Sequence, residues 1–202
     1  MAGGAGPVVT AALVVAVLPF SLAPYGSSPG PAAAVAGPSV TERLAGLVDL
    51  TVRRLLLADE VAAAKFGGGG PITDPERERR LLDAVADLSE RTGLARDTGV
   101  RFFVAQIEAA KVVQRGLHAR WRADSALRPR QRPDLATEVR PRLDRLTLPM
   151  VRLLKETTPV RADTGRCRAL LGLARLAAEE RAGLDGLHRE ALGSALRPVC
   201  TP

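Results

Sequence analysis

The sequence predicts an all-α protein: a bundle of about six helices, with three long core helices and a C-terminal helical extension closed by a disulfide. Apolar residues make up 46% of the 202 residues but aromatic residues only 3%. The core must therefore consist mainly of Leu, Val and Ala, a composition that favours helices over strands. Apolar side chains also recur at helical spacing along the chain, and no stretch shows the alternation typical of a strand.

Residues 1–36 are predicted to be a signal peptide. They contain no Asp, Glu, Lys or Arg, and an apolar run over 8–23 is followed by small residues at 34–36 that suit a cleavage site. An uncleaved membrane anchor is the alternative, but the run is short for a full span and Pro/Gly/Ser-rich sequence follows it. We therefore expect export, to a secreted or periplasmic location.

The remaining residues, 37–202, are expected to form a single helical domain whose core helices lie within 37–125. The first helix begins at the capping box SVTE, residues 39–42, and ends near Phe66, because four glycines and a proline follow. The second begins at Asp74, where the next residue is a proline suited to a first helical turn, and ends near residue 93. The third extends from about 97 to 121.

A linker rich in proline and arginine, 123–134, precedes the C-terminal helical extension, 134–202. It should contain a fourth helix over about 135–157 and two shorter helices. Because an exported protein with an even number of cysteines usually oxidises them, we expect a Cys167–Cys200 disulfide. It would close a loop of about 33 residues and contribute roughly 3–4 kcal/mol. Two unrelated buried thiols are the alternative.

Two cations interrupt the apolar stripe of the first helix. Arg54 and Lys65 are eleven residues apart, which corresponds to a net rotation of only about 20°, so both point to the same side. A buried charge must be paired, or must line a cavity that receives an anion. The small neighbours Ala58 and Ala62 would leave room for such a cavity.

Other helices carry similar polar residues on or beside their apolar faces. They are Arg77 and Glu78 on the second helix, Gln106 and Gln114 on the third, and Arg140 on the fourth. Together these side chains predict a polar pocket inside the bundle that is complementary to a small anion. Each also has an ordinary alternative. Arg54 would be a core arginine paired with Asp49, Asp59 or Glu78. Lys65 would extend to solvent, the glutamines would bond to the backbone, and the other arginines would lie in surface charge clusters.

Several classes of site are not supported by the sequence. The net charge of +7 admits an anionic partner, but arginine is so abundant that this balance alone indicates little. The two histidines, His118 and His188, lack the spacing of metal ligands. There is no phosphate-binding loop and no Ser/His/Asp signature. If the protein is an enzyme, we expect it to work without a metal and without a nucleophile.

Three segments resemble the all-helical chorismate mutases: VRRLLLADEVAAAKF at 52–66, PITDPERERRLL at 71–82 and FFVAQIEAAKVVQ at 102–114. The signal-like N-terminus, the C-terminal extension and the paired cysteines resemble the secreted gamma subclass. The similarity covers essentially the whole chain after about residue 40. It implies rearrangement of chorismate to prephenate with no cofactor and no covalent intermediate.

The resemblance also implies roles for individual residues. Arg54 should bind one substrate carboxylate, and Arg140 should supply the remaining carboxylate contact. Lys65 and Gln114 should donate to the ether oxygen. Arg77 should order the pocket, and Glu78 should accept a hydrogen bond from the substrate hydroxyl.

Three further positions bear on that site. Ala110 stands where relatives often carry Ser or Thr, so one hydroxyl contact is missing. Asp74 and Gln106 are weaker candidates that would support the contacting residues. Arg142 lies close enough to Arg140 that the assignment could shift by two positions.

The resemblance implies chorismate as the partner, with no nucleic acid and no membrane contact after signal cleavage. We expect a homodimer with a complete site in each chain. A non-enzymatic basic helical protein that binds an anionic partner, or an inactive family member, is the alternative.

Overall fold

The computed structural model describes residues 1–4, 6, 37–68 and 70–201. The chain divides into two units, Met1–Ala36 and Gly37–Pro202. Most of the predicted signal segment lies outside the described residues. The described residues of the second unit form helices and turns, with no strand among them, so the all-α prediction is confirmed.

The helices are α1 (Val40–Lys65), α2 (Pro75–Thr92), α3 (Arg96–Ala123), α4 (Arg140–Glu156), α5 (Thr158–Arg161), α6 (Thr164–Arg181) and α7 (Gly186–Leu196). A short 3₁₀ turn, Ser125–Leu127, lies in the linker, and a π-helical turn, Leu135–Val139, leads directly into α4. The fourth helix predicted from residue 135 is thus a π turn followed by an α-helix. None of the described helices is long and apolar enough to cross a membrane.

Local signals specify the ends of the helices that carry the polar residues. Ser39 and the Glu42 carboxylate form the predicted capping box at the start of α1. At its end Gly67 and Gly68 have φ values of 71° and 116°, in the left-handed region that glycine tolerates best. Asp74 then accepts a hydrogen bond from the backbone N–H of Arg77 at 3.1 Å and caps α2. The glycine turn thereby brings the end of α1 close to the start of α2.

Helix α1 lies at the centre of the bundle and packs against α3, α4, α6 and α7. Its apolar residues Leu44, Leu47 and Val48 are fully buried, as is Phe103 of α3. Burying each such side chain contributes roughly 1.5–3 kcal/mol. This packing holds α1, α2, α3 and the start of α4 around one interior space.

The C-terminal extension is closed as the sequence predicts. Cys167 and Cys200 form a buried disulfide with their Cα atoms 5.7 Å apart. The bond attaches the first turn of α6 to the segment that follows α7. It therefore limits how far the end of the chain can move from the bundle.

Candidate functional site

A cavity of about 110 Å³ lies between α1, α2, α3 and the start of α4. Its polar lining consists of Arg54, Lys65, Asp74, Arg77, Glu78, Lys111, Gln114 and Arg140. Its apolar lining includes Ala58, Val61, Ile107 and Ala110. The structure therefore brings the predicted cations and one of the two predicted glutamines to a single cavity.

Arg54 is a buried cation of the cavity, with 8% of its surface exposed. Its Nη1 donates to the Leu143 carbonyl at 3.4 Å, and its guanidinium carbon lies 5.5 Å from the centre of the Phe103 ring. Among the described residues no carboxylate lies within 4.0 Å of its nitrogens. Burial lowers the pKa of Arg54 to about 10, with Asp144 opposing this effect and Arg77 adding to it. The guanidinium thus remains charged at neutral pH without a close counter-ion.

The carboxylates that the sequence offered to Arg54 have other partners. Asp49 pairs with Arg181 at 2.6 Å, and Asp59 accepts from His188 at 2.9 Å. Glu78 pairs with Lys111 at 2.8 Å. The alternative of a core arginine neutralised by one of these three residues is therefore excluded for this conformation.

Lys65 is the last residue of α1 and is about half buried. Its Nζ donates to the Ile72 carbonyl at 3.0 Å, which joins the end of α1 to the segment before α2. Burial lowers the pKa of Lys65, and repulsion from Arg140 and Arg77 lowers it further, against the attraction of Asp74 and Glu78. An anion in the cavity would relieve this repulsion.

Arg77 and Arg140 complete the positive wall. Burial, followed by repulsion from Arg140, lowers the pKa of Arg77, although Asp144 lies 3.8 Å away and opposes the shift. Arg140 begins α4 and lines the cavity, whereas Arg142 pairs with Glu60 at 2.5 Å and does not line it. The structure therefore favours Arg140 over Arg142 as the pocket arginine.

The two glutamines have different surroundings. Gln114 lines the cavity: its Nε2 donates to the Ala110 carbonyl at 3.1 Å, and its buried Oε1 has no hydrogen-bond partner among the described residues. Gln106 does not line the cavity but donates to the Ala195 carbonyl at 2.9 Å, linking α3 to α7. Eight residues rotate by about 80° net along a helix, so the two side chains meet different neighbours. Placing Gln106 in the same pocket is therefore wrong.

Glu78 is held from two sides. Its Oε1 accepts from the backbone N–H of Asp74 at 3.1 Å, and its Oε2 accepts from Lys111 Nζ at 2.8 Å. Lys111 was not among the residues selected from the sequence, although it follows Ala110 and is one of only three lysines. Its burial could not be predicted from the sequence, because a lysine beside the apolar stripe of a helix more often extends to solvent.

The cavity is strongly positive and rich in hydrogen-bond donors. Five cations and two carboxylates line it, for a formal charge of +3. Across the described ranges no group of three or more His, Cys, Asp or Glu residues is placed to bind a metal. Guanidinium and ammonium groups from four helices line the cavity and can bind a small dianion, and the same donors can stabilise negative charge that develops on it.

Known proteins resemble this chain in both sequence and architecture. The family chorismate mutase type II matches residues 45–115. The secreted chorismate mutase of Mycolicibacterium smegmatis is 36% identical over 157 residues, covering 78% of this chain and 86% of that protein. The protein of the same name from Mycobacterium tuberculosis is 29% identical over 160 residues, covering 79% of each.

A solved structure of a chorismate mutase from Burkholderia thailandensis superposes with a TM-score of 0.74 at 38% identity, covering 78% of this chain and 99% of that chain. The relatives are therefore matched over most of their own length, including both the core helices and the extension. The likeness extends well beyond a shared helical architecture, because identity exceeds one third over these aligned lengths. The chain belongs to the chorismate mutase family.

Proposed function

We propose that this protein is a chorismate mutase that converts chorismate to prephenate. The observation that carries this proposal is Arg54: a buried, charged guanidinium without a close counter-ion, facing a cavity that holds four further cations. In the reaction one C–O bond breaks and one C–C bond forms in a single intramolecular step. No proton or group leaves the substrate, so the protein needs only to bind, orient and stabilise charge.

Arg54 and Arg140 bind the two carboxylates of the substrate. A guanidinium can contact a carboxylate through two parallel hydrogen bonds, a geometry that lysine cannot match. Because Arg54 now has only one long hydrogen bond, to the Leu143 carbonyl at 3.4 Å, most of its N–H groups are free to bind the ligand. Arg77 orders the wall between these sites.

Lys65 and Gln114 donate to the ether oxygen, which gains negative charge as its bond to carbon breaks. Lys65 has three N–H groups and Gln114 has two. Each therefore keeps its bond to a backbone carbonyl, at 3.0 Å and 3.1 Å respectively, while a second N–H reaches the substrate. Glu78 accepts from the substrate hydroxyl. Such preorganised donors cost little reorganisation when the transition state forms.

The direct experiment follows the absorbance loss of chorismate on adding the mature protein and identifies prephenate as the product. We expect turnover with a nearly flat rate between about pH 5 and 9, because the isomerisation transfers no proton and arginine, lysine and glutamine side chains ordinarily keep their N–H donors over this range. Arg54→Gln should reduce kcat/KM by at least about tenfold, since hydrogen bonds to charged groups contribute roughly 1.5–3 kcal/mol.

A basic helical protein that binds an anionic polymer would instead show strongly salt-dependent binding and no turnover. That alternative requires exposed cations, and the 8% exposure of Arg54 disfavours it. A folded protein that neither turns over chorismate nor binds a polymer would be an inactive family member.

We also propose export and a homodimer with a complete site in each chain. Export is supported by relatives that are named secreted chorismate mutases and by the disulfide, which fits an oxidising compartment. The predicted contact residues all line one cavity of a single chain, which supports a complete site in each chain: Arg54, Lys65, Arg77, Glu78, Gln114 and Arg140. N-terminal sequencing of protein from the culture medium tests export. Light scattering tests the dimer, and specific activity should not change on dilution.

A further inference from the structure

Lys111 is a buried lysine that the proposed mechanism does not use. It lies on α3 between Ala110 and Gln114, and its side chain is only 9% exposed. Its Nζ lies 2.8 Å from Glu78 Oε2 and 2.8 Å from Glu108 Oε1. The Glu108 side chain is 56% exposed, whereas that of Glu78 is 24% exposed and lines the cavity. The ammonium therefore connects the cavity carboxylate to a carboxylate near the surface.

The contacts of Lys111 hold Glu78 in one orientation. With Oε1 bound to the backbone N–H of Asp74 at 3.1 Å and Oε2 bound to Lys111, neither oxygen can rotate without breaking a hydrogen bond. Each carboxylate oxygen has two acceptor sites, so each still has one free for a ligand. Glu78 is thus preorganised to accept a hydrogen bond within the cavity.

The Lys111–Glu78 ion pair also affects the charge of the cavity. Without Lys111 the cavity would contain an unpaired carboxylate, which would repel an incoming dianion. The ammonium balances that charge, so Arg54, Lys65, Arg77 and Arg140 remain available to the substrate. Burial alone would lower the pKa of Lys111, but its hydrogen bonds to Glu108 and Glu78 outweigh burial and raise it, so the group stays charged at neutral pH.

We propose that Lys111 is a positioning residue for chorismate turnover, which orients Glu78 toward the substrate hydroxyl and balances its charge. This inference rests on the proposed function. Lys111 acts through Glu78 and not by touching the substrate. Replacing Lys111 should therefore reduce turnover only while residue 78 carries a charged carboxylate.

A double-mutant cycle tests this role. Lys111→Met should reduce kcat/KM roughly tenfold, a typical coupling within one hydrogen-bonded network, with KM raised by charge repulsion and kcat lowered by the misplaced carboxylate. Lys111→Gln keeps a donor but not the charge, so it should raise KM and largely retain kcat. It also serves as the second variant should Lys111→Met fail to fold. In a Glu78→Gln background either substitution should change kcat/KM by less than about twofold.

Lys155→Met is the matched control, because it applies the same change to an exposed lysine that does not line the cavity. It should retain wild-type kinetics. Turnover by the wild type combined with unchanged kcat and KM in the Lys111 variants would refute the inference alone. An equal loss in the Glu78→Gln background would also refute it, by indicating a direct or purely structural role. A wild type without turnover would refute the proposed function and this inference with it.

Discussion

Replacing Lys65 by Met separates the contribution of its ammonium group to catalysis from its contribution to stability. The methionine keeps an unbranched apolar side chain of similar length and removes only the donor and the charge. In the structure the Nζ makes one hydrogen bond, to the Ile72 carbonyl at 3.0 Å. Burial and the neighbouring arginines lower the pKa of this lysine, which means that its charge opposes folding.

These two effects on stability have opposite signs. Losing the hydrogen bond to Ile72 costs about 1 kcal/mol, while removing a half-buried charge relieves its desolvation and its repulsion from Arg77 and Arg140. We therefore expect the melting temperature to change by less than about 4 °C. The catalytic effect should be much larger, because losing one preorganised donor to a developing oxyanion costs roughly 2.7–4 kcal/mol, or about 100- to 1,000-fold in kcat.

The assay compares initial rates of chorismate consumption with thermal unfolding curves for the wild type, Lys65→Met and the exposed control Lys155→Met. Loss of kcat at an unchanged melting temperature would support a direct catalytic role. A kcat within about tenfold of the wild type would refute the assignment of Lys65 as a donor to the ether oxygen. A large fall in melting temperature would show that the hydrogen bond to Ile72 is its main contribution.

Three further predictions concern the fourth helix, the disulfide and one histidine. Arg140→Gln should lower kcat/KM by roughly 10- to 100-fold, whereas Arg142→Gln, whose ion pair lies outside the cavity, should stay within about twofold; equal effects would contradict the choice between them. Replacing Cys167 and Cys200 with Ser should lower the free energy of unfolding in urea by about 3–4 kcal/mol, and an unchanged midpoint would contradict a stabilising role. The pKa of His188 is raised from 6.5 to about 9, mainly by its hydrogen bond to Asp59. Burial opposes this shift, and Asp185 adds to it. The charged imidazole should therefore stabilise the fold by on the order of 1 kcal/mol after screening, fully below about pH 6.5 and no longer once the pH has risen through 9. The melting temperature of the wild type should fall over this pH range, whereas that of His188→Gln should not.

The helix boundaries and the faces of the core helices could be predicted from the sequence because they depend on local chemistry. A capping box, a proline in the first turn and a run of glycines each act within a few residues of a helix end. The eleven-residue spacing of Arg54 and Lys65 predicted a shared direction, and both residues line the cavity. The Cys167–Cys200 bond followed from an even cysteine count and predicted export, and it is present.

The identity of a side chain's neighbour across the bundle depends on how the helices pack, which periodicity along one helix does not specify. Gln106 and Gln114 both fit the apolar stripe of α3, yet the first contacts α7 and only the second reaches the cavity. Arg140 and Arg142 differ by two residues at the start of α4, and about 200° of rotation places them on different sides. Lys111 lies at a stripe boundary, and only the approach of α2 turns it into a buried partner of Glu78. Local sequence thus specifies the helices and an inward-facing cationic site. The packing of the helices against one another selects the polar residues that complete that site, because contacts across the bundle depend on tertiary geometry.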